Sequence, residues 1–101
     1  MASSPGSLSV QQTLWLTNLC LENARGTKDP ELALELCNDA EAALSAIKSS
    51  QKKALVASTK DEDRTLSKRI ATSYIELGTL QESLGRSDKA HSDFKKALQW
   101  G

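Results

Sequence analysis

The stretch 70-IATSYIELGTLQESLGRSDKAHSDFKKALQW-100 decides how this chain folds. Its apolar residues recur at Ile70, Tyr74, Leu77 and Leu84, with Ala71, Ile75 and Gly78 on a neighbouring line, which is the three-and-four spacing of an amphipathic helix. Gly85 then stands where a helix commonly closes with one residue in the left-handed conformation. Ser87 is placed to cap a second helix whose inward residues are Ala90, Phe94, Ala97 and Leu98. The turn between the two is short, so they must fold back on each other as an antiparallel pair.

Working upstream, Thr59-Lys60-Asp61-Glu62 reads as a capping box, and Leu66 is the first member of the stripe that follows. The helix therefore runs from about Asp61 to Leu84. Before it, Asp29-Pro30 opens another helix, because Asp accepts from exposed amides and proline in the first helical position has no amide to leave unpaired. Its inner face is Leu32, Ala33, Leu36, Ala40, Ala43, Leu44 and Ile47. Glu31 and Glu35 near its start and Lys48, Lys52 and Lys53 toward its end complement the helix dipole. It fades between Lys53 and Ser58 and is unusually long. The first helix begins at a second capping box, Ser9-Val10-Gln11-Gln12, and runs to about Arg25, with Gly26 positioned to close it. Val10, Leu14, Leu21 and Ala24 form one stripe, and Trp15, Leu16 and Leu19 spread apolar character around the cylinder, so burial on more than one side is expected. Residues 1–8, rich in Ser, Gly and Pro, read as a flexible tail. The expectation is an all-α domain over residues 9–101, with four antiparallel helices in two hairpins, about 9–57 and about 61–100.

Composition supports that class. Proline occurs twice and aromatic residues make up 4%, while helix formers dominate and leave little material for strands. Thirteen basic residues balance thirteen acidic ones, so no overall field draws the chain to nucleic acid or to an anionic membrane. No apolar run is long enough for a membrane span, and the first residues lack the basic and apolar regions of a secretory leader. An intracellular, cytoplasmic protein is expected. Cys20 and Cys37 fall inside apolar helical patterns and read as small buried hydrophobes. His91 is the single histidine and has no cysteine near it, so neither a metal site nor a cofactor is expected. There is no phosphate-binding glycine loop and no nucleophile with a base beside it, and the acids Asp61 and Asp63 are explained as first-turn charges, so an enzyme is not expected.

Tyr74-x2-Leu77-Gly78, Gly85 at the turn, Ala90-x3-Phe94 and the pair Ala97-Leu98 together resemble the tetratricopeptide repeat, a 34-residue helical hairpin. The resemblance covers about 31 residues, and each residue type has a packing reason. Gly78 and Ala90 let two helices approach closely, and Tyr74 and Phe94 fill the space beside them. Gln81 stands where the family places a second aromatic residue, and the closing proline would fall just past Gly101. A degenerate copy, Leu16-x2-Leu19-Cys20 followed by Ala33-x3-Cys37-x2-Ala40, lies upstream. Ala33 and Ala90 are 57 residues apart, well over one period, so the helices and connection between the hairpins must be longer than usual.

The resemblance implies a scaffold or adaptor that binds a protein or peptide partner in a concave groove. Carried over, that groove is lined by Leu14, Thr17, Asn18 and Leu21 of the first helix and by Thr72, Glu76, Thr79, Glu82 and Ser83 of the third. Family members that grip a partner's terminal carboxylates use Lys, Arg and Asn there. This chain offers only Asn18 of that kind, and Glu76 and Glu82 favour a basic or neutral peptide. Because helix four ends at Trp100 with nothing over it, the reading also expects either further repeats beyond Gly101, making this the N-terminal domain of a larger protein, or a homodimer with Trp100 on its assembly surface. A third alternative is a trafficking adaptor resembling the microtubule-interacting and trafficking domain, which the segment Gly85-Arg86-Ser87-Asp88-Lys89-Ala90 also suits.

Overall fold

The computed structural model describes residues 5–47 and 49–100. Lys48, Gly101 and the first four residues of the expected tail lie outside them. All the regular structure among the described residues is helical: α1 (Pro5–Gly26), α2 (Pro30–Ser45), α3 (Ser49–Ala57), α4 (Asp61–Ser83) and α5 (Ser87–Trp100). The class is the expected one, but there are five helices where four were read.

The extra helix comes from a break in the long second one. Ala46 turns its amide toward the carbonyls of Ala42, Ala43 and Leu44, and Ile47 N–H donates to Leu44 O at 3.2 Å, so the last turn tightens and stops. Ser45, Ser49 and Ser50 flank this point, and serine hydroxyls compete with the helical ladder. Lys52 and Lys53 therefore sit on α3, and α2 has no basic residue in its last turn. The redirected α3 packs on α4 and buries Leu55.

The ends of the other helices show which signals acted as read. Asp29 accepts from Glu31 N–H at 3.0 Å with Pro30 in the first helical position, as expected. At the end of α4 the N–H of Gly85 donates to Glu82 O at 3.0 Å and that of Arg86 to Gln81 O at 2.8 Å, a Schellman closure with Gly85 at φ +85°. Gly26 takes no such conformation, because the helical hydrogen bonding runs on to Thr27 N–H, bonded to Asn23 O at 3.1 Å. α1 starts at Pro5, so Ser9 lies inside the helix instead of opening it. Lys60, not Thr59, is the residue before α4, and it makes no side-chain cap. Nearby, Ser58 Oγ donates to Asp63 Oδ2 at 2.7 Å and accepts from Lys60 N–H. Ser87 is likewise the first residue of α5.

Packing is closest between α4 and α5 and between α1 and α2, pairs joined by three-residue connections, and α1 and α2 also lie against α4. The core runs through all five helices, from Val10, Leu14 and Leu21 through Cys37 and Leu44 to Ile70, Leu77 and Ala97. Both cysteines are free and buried, and burial is the main reason their thiols are pushed up from the ordinary value. Gly78 allows the closest approach: a Cβ there would lie 2.7 Å from Phe94 Cε1.

Several expected positions turn the other way. α1 is buried on one face, leaving Trp15 67% exposed, with Leu16 and Leu19 exposed beside it. Leu32 is exposed as well, and Leu98 is 81% exposed, because the inward line of α5 is Ala90, Asp93, Ala97 and Trp100. Trp100 is only 6% exposed. α3 lies over it, with Lys52 Nζ 5.7 Å from the ring centroid and donating to Gln99 Oε1 at 2.6 Å. It is a core residue and presents no assembly surface.

Candidate functional site

Two side-chain pairings place α1 along α4. Ser73 Oγ donates to Asn18 Oδ1 at 3.0 Å, and Arg25 Nη1 forms an ion pair with Glu76 Oε2 at 3.3 Å. Both partners advance along their helices in the same sense, so α1 and α4 run roughly parallel. A furrow lies between them. One stretch, of about 300 Å³, is walled by Asn18, Glu22 and Arg25 of α1 and by Arg69, Thr72, Ser73 and Glu76 of α4. A second, of about 450 Å³, is lined by Gln11 of α1 and by Asp61, Glu62, Thr65, Leu66 and Arg69 of α4. Arg69 belongs to both. From Gln11 to Arg25 the helix rises about 21 Å, the length of roughly six extended residues.

The periodicity of each helix explains the walls. On α1 the buried line is Val10, Leu14, Thr17, Leu21 and Ala24, and the line one position further round is Gln11, Asn18, Glu22 and Arg25. On α4, Arg69, Thr72, Ser73 and Glu76 recur at helical spacing beside the buried Ile70, Tyr74 and Leu77. Of the nine residues expected in the groove, Asn18, Thr72 and Glu76 line the furrow. Leu14, Thr17 and Leu21 do not, because they point into the core, where Thr17 Oγ1 donates to Thr13 O at 2.8 Å. Thr79, Glu82 and Ser83 are exposed on α4 but lie outside the described furrow. α1 ends at Gly26, just past the Arg25–Glu76 pair, so the last turns of α4 have no opposite wall. Glu22, Arg25, Arg69 and Ser73 of the first stretch, and Gln11, Asp61, Glu62, Thr65 and Leu66 of the second, line it without having been anticipated. Extending the polar line from Asn18 by four and seven residues, and that from Thr72 by one and by three back, would have found the four of the first stretch.

The furrow's chemistry is polar and mixed in charge. Ser73 Oγ lies 3.0 Å from both Asn18 Oδ1 and Arg69 O, so its single proton is shared between two acceptors. With Oδ1 engaged, the Asn18 amide nitrogen is left to donate into the furrow. Thr72 Oγ1 donates to Lys68 O at 2.9 Å. Glu76 is neutralised by Arg25, whereas Arg69, Glu22, Asp61 and Glu62 have no ion-pair partner among the described residues. Carboxylates outnumber guanidiniums along the walls, so the free charge is acidic with one basic point near the middle.

Among the described residues no group of three or more His, Cys, Asp and Glu is arranged to hold a metal ion, and no helix is long and apolar enough to cross a membrane. No family model, no curated protein and no solved structure matches this chain.

Proposed function

We propose that this chain is a protein-binding module built from two tetratricopeptide-like hairpins, α1 with α2 and α4 with α5, and that it holds an extended peptide in the furrow between α1 and α4. The observation that carries the reading is the furrow: two parallel first helices, one from each hairpin, with a polar channel between them. Short connections within each hairpin, the Phe94 ring on Gly78 and the buried Tyr74 and Ala90 support the comparison. In this scheme α3 is an added helix that fills the long interval between the hairpins. The Asn18 amide is suited to a main-chain carbonyl of the peptide, and Glu22, Asp61 and Glu62 to Lys or Arg side chains on it.

A peptide array read with the labelled chain tests this. Extended Lys- and Arg-containing sequences should bind, and the reversal Glu22→Lys with Glu62→Lys should weaken them by about tenfold or more, given about 1.5–3 kcal/mol per hydrogen bond to a charged group. Asn18→Ala should weaken them by roughly two- to tenfold, given about 0.5–1.5 kcal/mol for a neutral one. Lys95→Glu, on the exposed side of α5, should leave them unchanged. Retention of every bound sequence by the furrow variants would falsify the site.

Self-assembly is the second reading, and the exposed Trp15, Leu16 and Leu19 favour it. From Leu8 to Leu21 the chain carries no charged residue, which is the composition of an interface centre.

A further inference from the structure

The inward line of α5 places residue 93 in the interior, and that residue is an aspartate with 0% exposure. Its Oδ1 has no hydrogen-bond partner among the described residues. Its Oδ2 accepts only a long bond, 3.5 Å, from Gln81 Nε2. The same nitrogen donates to Glu41 Oε1 of α2 at 3.3 Å, so one amide group serves two carboxylates on two helices. The far end of the amide is held: Arg86 Nη1 lies 3.4 Å from Gln81 Oε1 and 3.0 Å from Asn38 Oδ1 of α2. No cation reaches ion-pair distance of either carboxylate among the described residues. A buried carboxylate with one orphaned oxygen and a second acid facing the same donor is poorly compensated when ionised.

We propose that Asn38, Glu41, Gln81, Arg86 and Asp93 form a proton-operated latch, in which uptake of one proton by Asp93 tightens the seam between α2 and the α4–α5 pair and its release loosens that seam. The protonated acid no longer repels Glu41, and it gains a donor where the ionised form has none. The groups facing it, the buried Cys37 thiol of α2 among them, act in both directions, and those that favour the proton prevail. Burial acts first and the Glu41 carboxylate second to push the Asp93 carboxyl up to about 6, against the Gln81 hydrogen bond and the more distant Lys96 and Lys89. Tyr74, on α4, is pushed up to about 12, by burial first and then by Asp93 and Glu41, so it stays neutral and brings no charge to the seam. An acid whose folded value lies above its unfolded 3.8 binds its proton more tightly when folded. The stabilisation is therefore complete below about pH 4 and is lost as the pH rises through about 6. The latch does not depend on the furrow or on any partner.

Urea unfolding of the full chain between about pH 4.5 and 7.5, compared with Asp93→Asn and Glu41→Gln, reads the latch directly. Asp93→Asn should be more stable than the wild type near neutrality, by roughly ten- to a hundredfold in the folding equilibrium, with the gap closing toward the acid end. Glu41→Gln should give part of the same gain. A carbon NMR titration of Asp93 in the folded wild type should have its midpoint near 6. Amide exchange in α5, corrected for intrinsic rates, should show easier opening at neutral than at acid pH. A midpoint at the ordinary carboxylate value, a gap between the two chains that does not change with pH, or pH-independent opening of α5 would each overturn the proposal. The wild-type titration and exchange decide the matter even if Asp93→Asn fails to fold.

Discussion

A methyl group added at Gly78 and one added at Gly85 meet different obstacles. At Gly85 there is open space around the new carbon, but φ is +85°, so the cost is conformational and amounts to about 1–2 kcal/mol. At Gly78 the backbone is ordinary helix, and alanine would add about 1 kcal/mol of helix propensity. Against this the new carbon would lie 2.7 Å from the Phe94 ring, and overpacking of that kind costs about 1–3 kcal/mol. Both Gly85→Ala and Gly78→Ala should lower the urea midpoint. Adding Phe94→Leu should recover part of the loss at Gly78 and none at Gly85, and equal rescue at the two sites would contradict the geometry. These roles were legible because glycine's reasons are local, a turn in one case and a neighbouring ring spaced along the same hairpin in the other. Asp93 was not legible. Its place on the inward line follows from the spacing Ala90, Asp93, Ala97 and Trp100, but a charged residue argues against burial unless the partners from α2 and α4 are known.

Among the elements, α3 is held most lightly. It buries one side chain among its described residues, Leu55, and Lys52 links it to the C-terminal end of α5 through Gln99 and Trp100. Leu55→Ala should cost about 2–4 kcal/mol if α3 unfolds only with the rest of the molecule. A smaller loss is expected, with hydrogen exchange in α3 rising to the fastest of the five helices while α4 and α5 keep their protection. Uniform loss of protection across all helices would show that α3 is integral to the core. The break before α3 escapes the sequence for a definite reason. Leu44, Ile47, Gln51 and Leu55 continue the spacing of the α2 stripe, so periodicity reads straight through residues 46–48. The flanking serines weaken the ladder there, but the burial of Leu55 against α4, which makes a separate α3 favourable, shows in no local pattern.

For the whole molecule, Trp15, Leu16 and Leu19 stand together as exposed apolar residues on α1, whereas Leu32, Val56, Ile75 and Leu98 lie singly on the other helices. Any self-association should therefore use the exposed face of α1. Sedimentation at rising concentration should show weak association that Trp15→Ser abolishes and Leu98→Ser leaves intact; a strictly monomeric wild type would remove this reading. The all-helical class, the Asp29 and Gly85 boundaries and the close contact at Gly78 were written in the sequence, because capping, left-handed closure and helical periodicity act within a few residues, whereas the start of α1 and the division of the second helix into α2 and α3 were not. Which face of each helix is covered was decided only by the tertiary structure. Leu14 and Leu21 became core, Trp15 was left in water, Trp100 was roofed by α3, and the furrow shifted one position round α1 from where the resemblance put it. A helix with apolar residues on more than one side can be buried by any of them, and the choice belongs to the elements that pack against it.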